Sequence, residues 1–194
     1  QNLLLMDPRS ASWRQEKNIA RVVAHEFAHM WFGNLVTMRW WDDLWLNEAF
    51  AEWMAHKACH AVEPSYEIWN DFIEDKARAL FDDALHSTHP IYTPVETPEQ
   101  ALEMFDSITY QKGCAVMRML EHFLGEEPFR AGLRSYMKRH QWGNAAGKDL
   151  WQALGESSGQ PVATLMKSWI EQPGFPVVAV SLDGAAGTLS LSQQ

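Results

Sequence analysis

Three shortages narrow what this chain of 194 residues can be. It has only two cysteines, Cys59 and Cys114, on what read as two separate helices. Two thiols do not make a disulfide framework, and neither stands at metal-ligand spacing from the other. Both are therefore read as small buried hydrophobes, and the compartment is left open. The chain also has no run approaching the 18 or more apolar residues of a membrane span, because its longest apolar patches are broken by His, Glu, Arg or Asp. Finally, it is short of positive charge. Lys and Arg number 16 against 25 Asp and Glu, a net charge of −9, which argues against nucleic acid or an anionic membrane surface as partner.

What is present is a core. The chain is 46% hydrophobic and carries ten tryptophans, a composition far from that of disordered segments and enough for one domain with a sizeable interior. No internal repeat or low-complexity segment is seen.

The chemistry lies between His25 and Glu48, in HEFAHMWFGNLVTMRWWDDLWLNE. His25-Glu26-Phe27-Ala28-His29 fits H-E-x-x-H. On an α-helix His25 and His29 fall about 40° apart, one turn from each other, the spacing with which two imidazoles reach one zinc ion at about 2.0–2.1 Å. Glu26 lies about 60° from His29 on the same side, so its carboxylate overlooks the metal without binding it. A catalytic zinc wants a third protein ligand and an open position. Glu48 is the candidate for that ligand, 18 residues after His29. The competing reading is an amphipathic helix whose two histidines and glutamate face water. The apolar flank ARVVAHEFAHMWF argues for a buried helix instead, and buried charge needs a partner.

Along the chain, residues 1–9 read as an extended apolar lead ending in a turn at Asp7-Pro8. Ser12 and Gln15 read as a capping box for a helix from about Trp13 to Phe32, stopped by Gly33-Asn34. In the connector 34–44, Trp40, Trp41 and Leu44 are expected to be core. A second helix, about Leu46–Val62, carries Glu48. Glu52, one turn on, is weighed as a solvated side chain against a hydrogen-bond partner of a metal-bound imidazole, with solvation preferred. His56 and His60 are expected at the surface. A helix at about Tyr66–Leu85 shows a 3.6-residue period, and an irregular stretch with three prolines follows at 86–98, where a second metal site at His86 and His89 is not favoured. Thr97, Pro98 and Gln100 start a short helix. Four further helices are expected at about Ser107–Leu124, Pro128–His140, Lys148–Ser157 and Val162–Glu171, with Gly143-Asn144 as a turn. VVAVSL and TLSLS alternate at period two around Asp183-Gly184, a β-hairpin. Gln1 is no initiator Met, no signal peptide is seen ahead of the fold, and Gln193-Gln194 follows directly on the hairpin, so the chain is read as a piece of a longer protein.

The run VVAHEFAHMWFGNLVTMRWWDDLWLNEAFAEW resembles the zinc aminopeptidases of the aminopeptidase N type, whose pattern is H-E-x-x-H, 18 residues, then Glu within N-E-x-F-A. FDSITYQKG at Phe105–Gly113 and WIEQPGFPVV at Trp169–Val178 match in order, so the resemblance covers essentially the whole chain. Met30 and Ala49 stand where relatives more often carry Gln and Gly; neither is a ligand. The resemblance implies a mainly α fold, the helical lobe of a thermolysin-like zinc peptidase domain over 1–175. The hairpin at 176–194 would open a following β domain. It implies one zinc per chain held by His25, His29 and Glu48, with Glu26 as general base. It also implies that Tyr110 donates a hydrogen bond to the oxyanion, and that peptides are the substrates, cleaved after the N-terminal residue. Lys112 and Gly113 belong to the pattern with no chemical role derived. Glutamates that bind the substrate amine in relatives, one of them in a Gly-x-Met-Glu-Asn segment, do not occur here, so flanking domains are expected as partners and the isolated piece is expected to turn over little. Alternatives are a zinc endopeptidase, an epoxide hydrolase like leukotriene A4 hydrolase, and a non-catalytic zinc-stabilised module. The first lacks the 18-residue gap and Tyr-x-Lys-Gly segment, and the last would close its zinc with four protein ligands.

Overall fold

The computed structural model describes residues 4–7 and 9–193. Most of Asp7-Pro8 and the start of the apolar lead therefore fall at or beyond those limits: Gln1–Leu3 and Pro8 lie outside the described residues. The chain runs α1 (Trp13–Ala28), β1 (Val36–Met38), α2 (Trp45–Val62), α3 (Ile68–Asp83), α4 (Pro98–Glu103), a π-helical turn (Ile108–Lys112), α5 (Gly113–Leu124), α6 (Glu126–His140), β2 (Gly143–Ala145), α7 (Gly147–Ser158), α8 (Val162–Ile170), β3 (Val178–Asp183) and β4 (Thr188–Gln193). It is mainly α, with the expected antiparallel hairpin formed by β3 and β4, Val178 opposite Gln193 and Asp183 opposite Thr188.

The helix at the centre is α2. Trp45, Leu46, Ala49, Phe50, Trp53 and Cys59 are all buried, and they cover more than one face, because α1, α3 and α5 each pack on a different side of it. Phe50 stacks on Phe32 at 4.7 Å, Trp45 on Trp151 at 5.2 Å, and Trp53 meets Phe129 edge-on at 5.4 Å. Rings at these separations add to the burial of their apolar area. Asp43 ties the start of α2 to the start of α7: its carboxylate accepts from Trp45 Nε1 at 3.0 Å and from Gly147 N at 3.1 Å. Cys59 and Cys114 are both buried and free.

The structure departs from the sequence reading at several points. The apolar flank of H-E-x-x-H belongs to an amphipathic helix, not a buried one. α1 lays one side on α2 while Phe27 remains 64% exposed. α1 also ends at Ala28, four residues early. His29 caps it, and a turn from Phe27 to Val36 follows in which Gly33 adopts φ +134°. Trp40 and Trp41 are not core, at 54% and 38% exposed. Trp40 instead donates to Val95 O at 2.7 Å and Asp42 accepts from Val95 N at 2.6 Å, pinning the proline-rich stretch. Gly143-Asn144 is not a simple turn either: β2 pairs in parallel with β1, Val36 opposite Gly143. Thr97 and Gln100 form the expected capping box of α4, and Ser12 caps α1.

Candidate metal centre

Helix α1 delivers His25 near its end and His29 at its cap, and α2 delivers Glu48 in its first turn. Three atoms converge. His25 Nε2 lies 3.1 Å from His29 Nε2 and 3.2 Å from Glu48 Oε2, and His29 Nε2 lies 3.4 Å from the same oxygen. Donors about 2.0–2.1 Å from a tetrahedral zinc stand about 3.3–3.4 Å apart, so the triangle has the size that this ion requires. The donor chemistry, two imidazoles and a carboxylate, fits it as well. Among the described residues, the group has three members and no fourth side-chain ligand.

Both rings are oriented from behind. His29 Nδ1 donates to Phe32 O at 2.9 Å, and His25 Nδ1 donates to Glu52 Oε2 at 3.0 Å. With each Nδ1 held by its acceptor, Nε2 is the ring atom that faces the centre, and on giving up its proton it offers a lone pair to a cation there. The turn that places Phe32 O needs Gly33. A side chain there would have to adopt φ near +134°, which L residues other than glycine rarely do.

The electrostatics favour a cation. Burial opposes charge on His25, yet the carboxylates of Glu48 and Glu52 outweigh it and raise its pKa to about 9. Burial likewise opposes charge on Glu48, but hydrogen bonds from His25 and His29 hold it at about 2. Glu52, which burial would push up, is kept below the usual carboxylate range by His25, His56 and Arg21. The cluster thus stabilises positive charge at its middle.

Glu26 is exposed. Tyr110 lies on the π-helical turn with its ring stacked on His25, 5.9 Å between centroids. Burial, then the Glu48 charge, push its phenol above the ordinary value. π-turns are uncommon and recur at functional sites. This one is anchored at both ends. Before it, Asp106 Oδ1 accepts from Ile108 N and Thr109 N at 3.0 Å each, and Oδ2 from His89 Nε2 at 2.8 Å. After it, the buried Lys112 Nζ pairs with Asp83 at 2.7 Å and donates to Gly174 O at 2.9 Å, while Gly174 N donates back to Asp83 at 2.9 Å. Lys112 therefore links the turn to the Pro-Gly-Phe-Pro segment. Gly113 is needed for packing, since a Cβ there would come within 2.7 Å of Ala49 Cβ, beside Glu48.

Of the residues the sequence brings forward, the structure brings His25, His29 and Glu48 together and stacks Tyr110 on His25, while Glu26 stands exposed on α1 next to His25. Glu52 is buried against His25 rather than solvated, and His56, expected at the surface, is 1% exposed. His89 belongs to the support of the π-turn, while His86 and His60 are exposed. The i, i+4 spacing of Glu48, Glu52 and His56 was the available signal for the inward face of α2.

The family model described as the peptidase family M1 domain matches residues 1–169. A probable aminopeptidase 2 of Sulfurisphaera tokodaii is 47% identical over 182 residues, 93% of this chain and 23% of that protein. A leucyl aminopeptidase of Saccharolobus solfataricus is 46% identical over 191 residues, 98% of this chain and 24% of that protein. An aminopeptidase N of Lactococcus lactis is 47% identical over 193 residues, with 98% and 23% covered. The chain thus spans under a quarter of the length of these curated relatives.

Proposed function

This chain belongs to peptidase family M1, and on that premise we propose that it carries the metal centre of a zinc aminopeptidase, one zinc per chain, acting on the N-terminal residue of peptides. The observation that supports this most is the triangle of His25 Nε2, His29 Nε2 and Glu48 Oε2, with sides of 3.1–3.4 Å. Three donors leave a tetrahedral ion one open position, as a catalytic site requires and a structural site does not.

His25, His29 and Glu48 would hold the ion. When bound, zinc supplies a water of lowered pKa and polarises the scissile carbonyl. The Glu26 carboxylate takes the proton of the attacking water and returns one to the leaving amine. Tyr110 keeps its proton, because its pKa is raised, and donates it in a hydrogen bond to the oxygen that becomes negative in the transition state. The relatives' Gly-x-Met-Glu-Asn segment for the substrate amine does not occur in these 194 residues, so the amine anchor and the opposite cleft wall belong to flanking domains in this reading. The hairpin, whose strand residues are exposed along their whole length, is the proposed start of a β domain at 176–194. Net charge of −9 disfavours nucleic acid as partner, and no helix among the described residues is long and apolar enough to cross a membrane.

The test is zinc content and hydrolysis of an aminoacyl chromogenic amide by the full-length protein. About one zinc per chain is expected. His25→Ala and Glu48→Ala should lower occupancy sharply, while Glu26→Gln should keep the metal and lose turnover. A Glu26→Gln protein that turns over normally would remove Glu26 from this role. Turnover of an epoxide but not of the amide would redirect the substrate class.

A further inference from the structure

The two imidazoles differ in what stands behind them. His29 is backed by a neutral carbonyl, Phe32 O, and His25 by a carboxylate, Glu52. Glu52 is buried on α2, one turn beyond Glu48. Its Oε2 takes the His25 hydrogen bond at 3.0 Å, and its Oε1 has no hydrogen-bond partner among the described residues. The nearest cation to Oε1 is Arg21 Nη1 at 3.7 Å, whose own close contact is Asp75 of α3 at 2.5 Å. His56 donates from Nδ1 to the Glu52 carbonyl at 2.8 Å and stands 3.8 Å from Oε1, beyond hydrogen-bond distance. The one short contact this buried carboxylate makes is therefore with the back of a candidate metal ligand.

We propose that Glu52 is a positioning residue of the metal centre, locking the His25 ring with Nε2 toward His29 and Glu48 and strengthening that nitrogen as a donor to a divalent cation. A carboxylate behind a ligating imidazole fixes its tautomer and raises its basicity, and loss of such a partner typically costs about 10- to 100-fold in metal affinity. Arg21 and Asp75 complete the arrangement. Arg21 offsets the Glu52 charge from a distance that leaves Oε2 free for His25, and Asp75 keeps Arg21 at that distance. The inference rests on the zinc reading above.

About two turns before His25, α1 makes another contact that serves as an internal control, this one with α3. Lys17 of α1 pairs with Asp71 of α3 at 2.7 Å and is part of no chain leading to His25. A general loosening of α1 would follow from breaking either contact, whereas an effect through His25 would follow only from Glu52.

The experiment measures Zn2+ dissociation constants by chelator competition, and the Co2+ visible spectrum, for the full-length protein and its Glu52→Gln and Lys17→Gln variants. Glu52→Gln keeps the volume and an acceptor but removes the charge. It should weaken zinc about 10- to 100-fold and alter the Co2+ bands, while Lys17→Gln should lower the melting temperature and leave both unchanged. Equal affinity for Glu52→Gln and the unaltered protein overturns the inference, as does equal weakening by Lys17→Gln. An unaltered protein that takes up no zinc overturns the metal reading itself, a distinguishable result. Should Glu52→Gln not fold, Glu52→Asp keeps the charge and shortens the reach. A lesser weakening is then expected, and none overturns the proposal.

Discussion

The ring of Tyr110 lies parallel to that of His25, 10° between planes and 5.9 Å between centroids. A helix end and a π-turn distant in sequence thereby present an imidazole edge and a phenol side by side. The stacking confines the phenol to one direction, and Asp106 and Lys112 fix the turn on either side of it.

If Tyr110 donates to the oxyanion as proposed, Tyr110→Phe keeps the stacked ring and removes one hydrogen bond made in the transition state. A loss of about a hundred- to a thousandfold in kcat is expected, with KM little changed. Steady-state kinetics of the full-length protein decide it. An effect confined to KM would assign Tyr110 to substrate binding.

Gly113→Ala should destabilise the fold through one contact. The new methyl would meet Ala49 Cβ at 2.7 Å, and overpacking of this kind costs about 1–3 kcal/mol. Ala49→Gly removes the opposing atom, so the double variant Ala49→Gly/Gly113→Ala should recover much of the loss despite the added helical glycine. Urea unfolding of all four proteins gives the coupling between the two sites. Independent, additive effects would show that α5 does not approach α2 this closely.

His89 should make stability depend on pH. Its Nε2 faces Asp106 at 2.8 Å and its Nδ1 faces Pro90 O at 2.7 Å, so the doubly protonated ring satisfies both acceptors. The Asp106 hydrogen bond, against burial, raises its pKa above the ordinary value. A group whose folded pKa is raised stabilises fully below its unfolded pKa, about 6.5, and loses that contribution as pH rises through the folded value. The stability gap between the protein and its His89→Gln variant should therefore be wider at acidic than at alkaline pH. A gap that widens upward instead would contradict the pairing.

How much of this was legible depended on how local each feature is. H-E-x-x-H and Glu48 share a short stretch and two helical periods, so His25, His29 and Glu48 could be read directly. The capping box at Thr97 and the alternation of the hairpin are equally local. Glu52 and His56 are buried where the sequence suggests solvent, because a polar residue on a helix announces burial only through the helix it faces, and three helices surround α2. Trp40 and Trp41 run the other way: indole rings that read as core lie on the surface, one held by a hydrogen bond to Val95. Pairing of Val36 with Gly143, and of Lys112 with Gly174, joins segments whose spacing carries no period at all.

The link from Lys112 to Gly174 also sets an order of events during synthesis. Gly174 follows Lys112 by 62 residues, and at translation rates of about 5–20 residues per second it emerges about 3–12 s later. His25, His29 and Glu48, by contrast, leave the ribosome together, on two helices that pack directly on each other. The nascent chain can close its metal triangle while the turn bearing Tyr110 still lacks its far anchor. On the zinc peptidase reading proposed above, metal capture would then precede catalytic competence, and the centre would stay idle until the segment that steadies its phenol has been made.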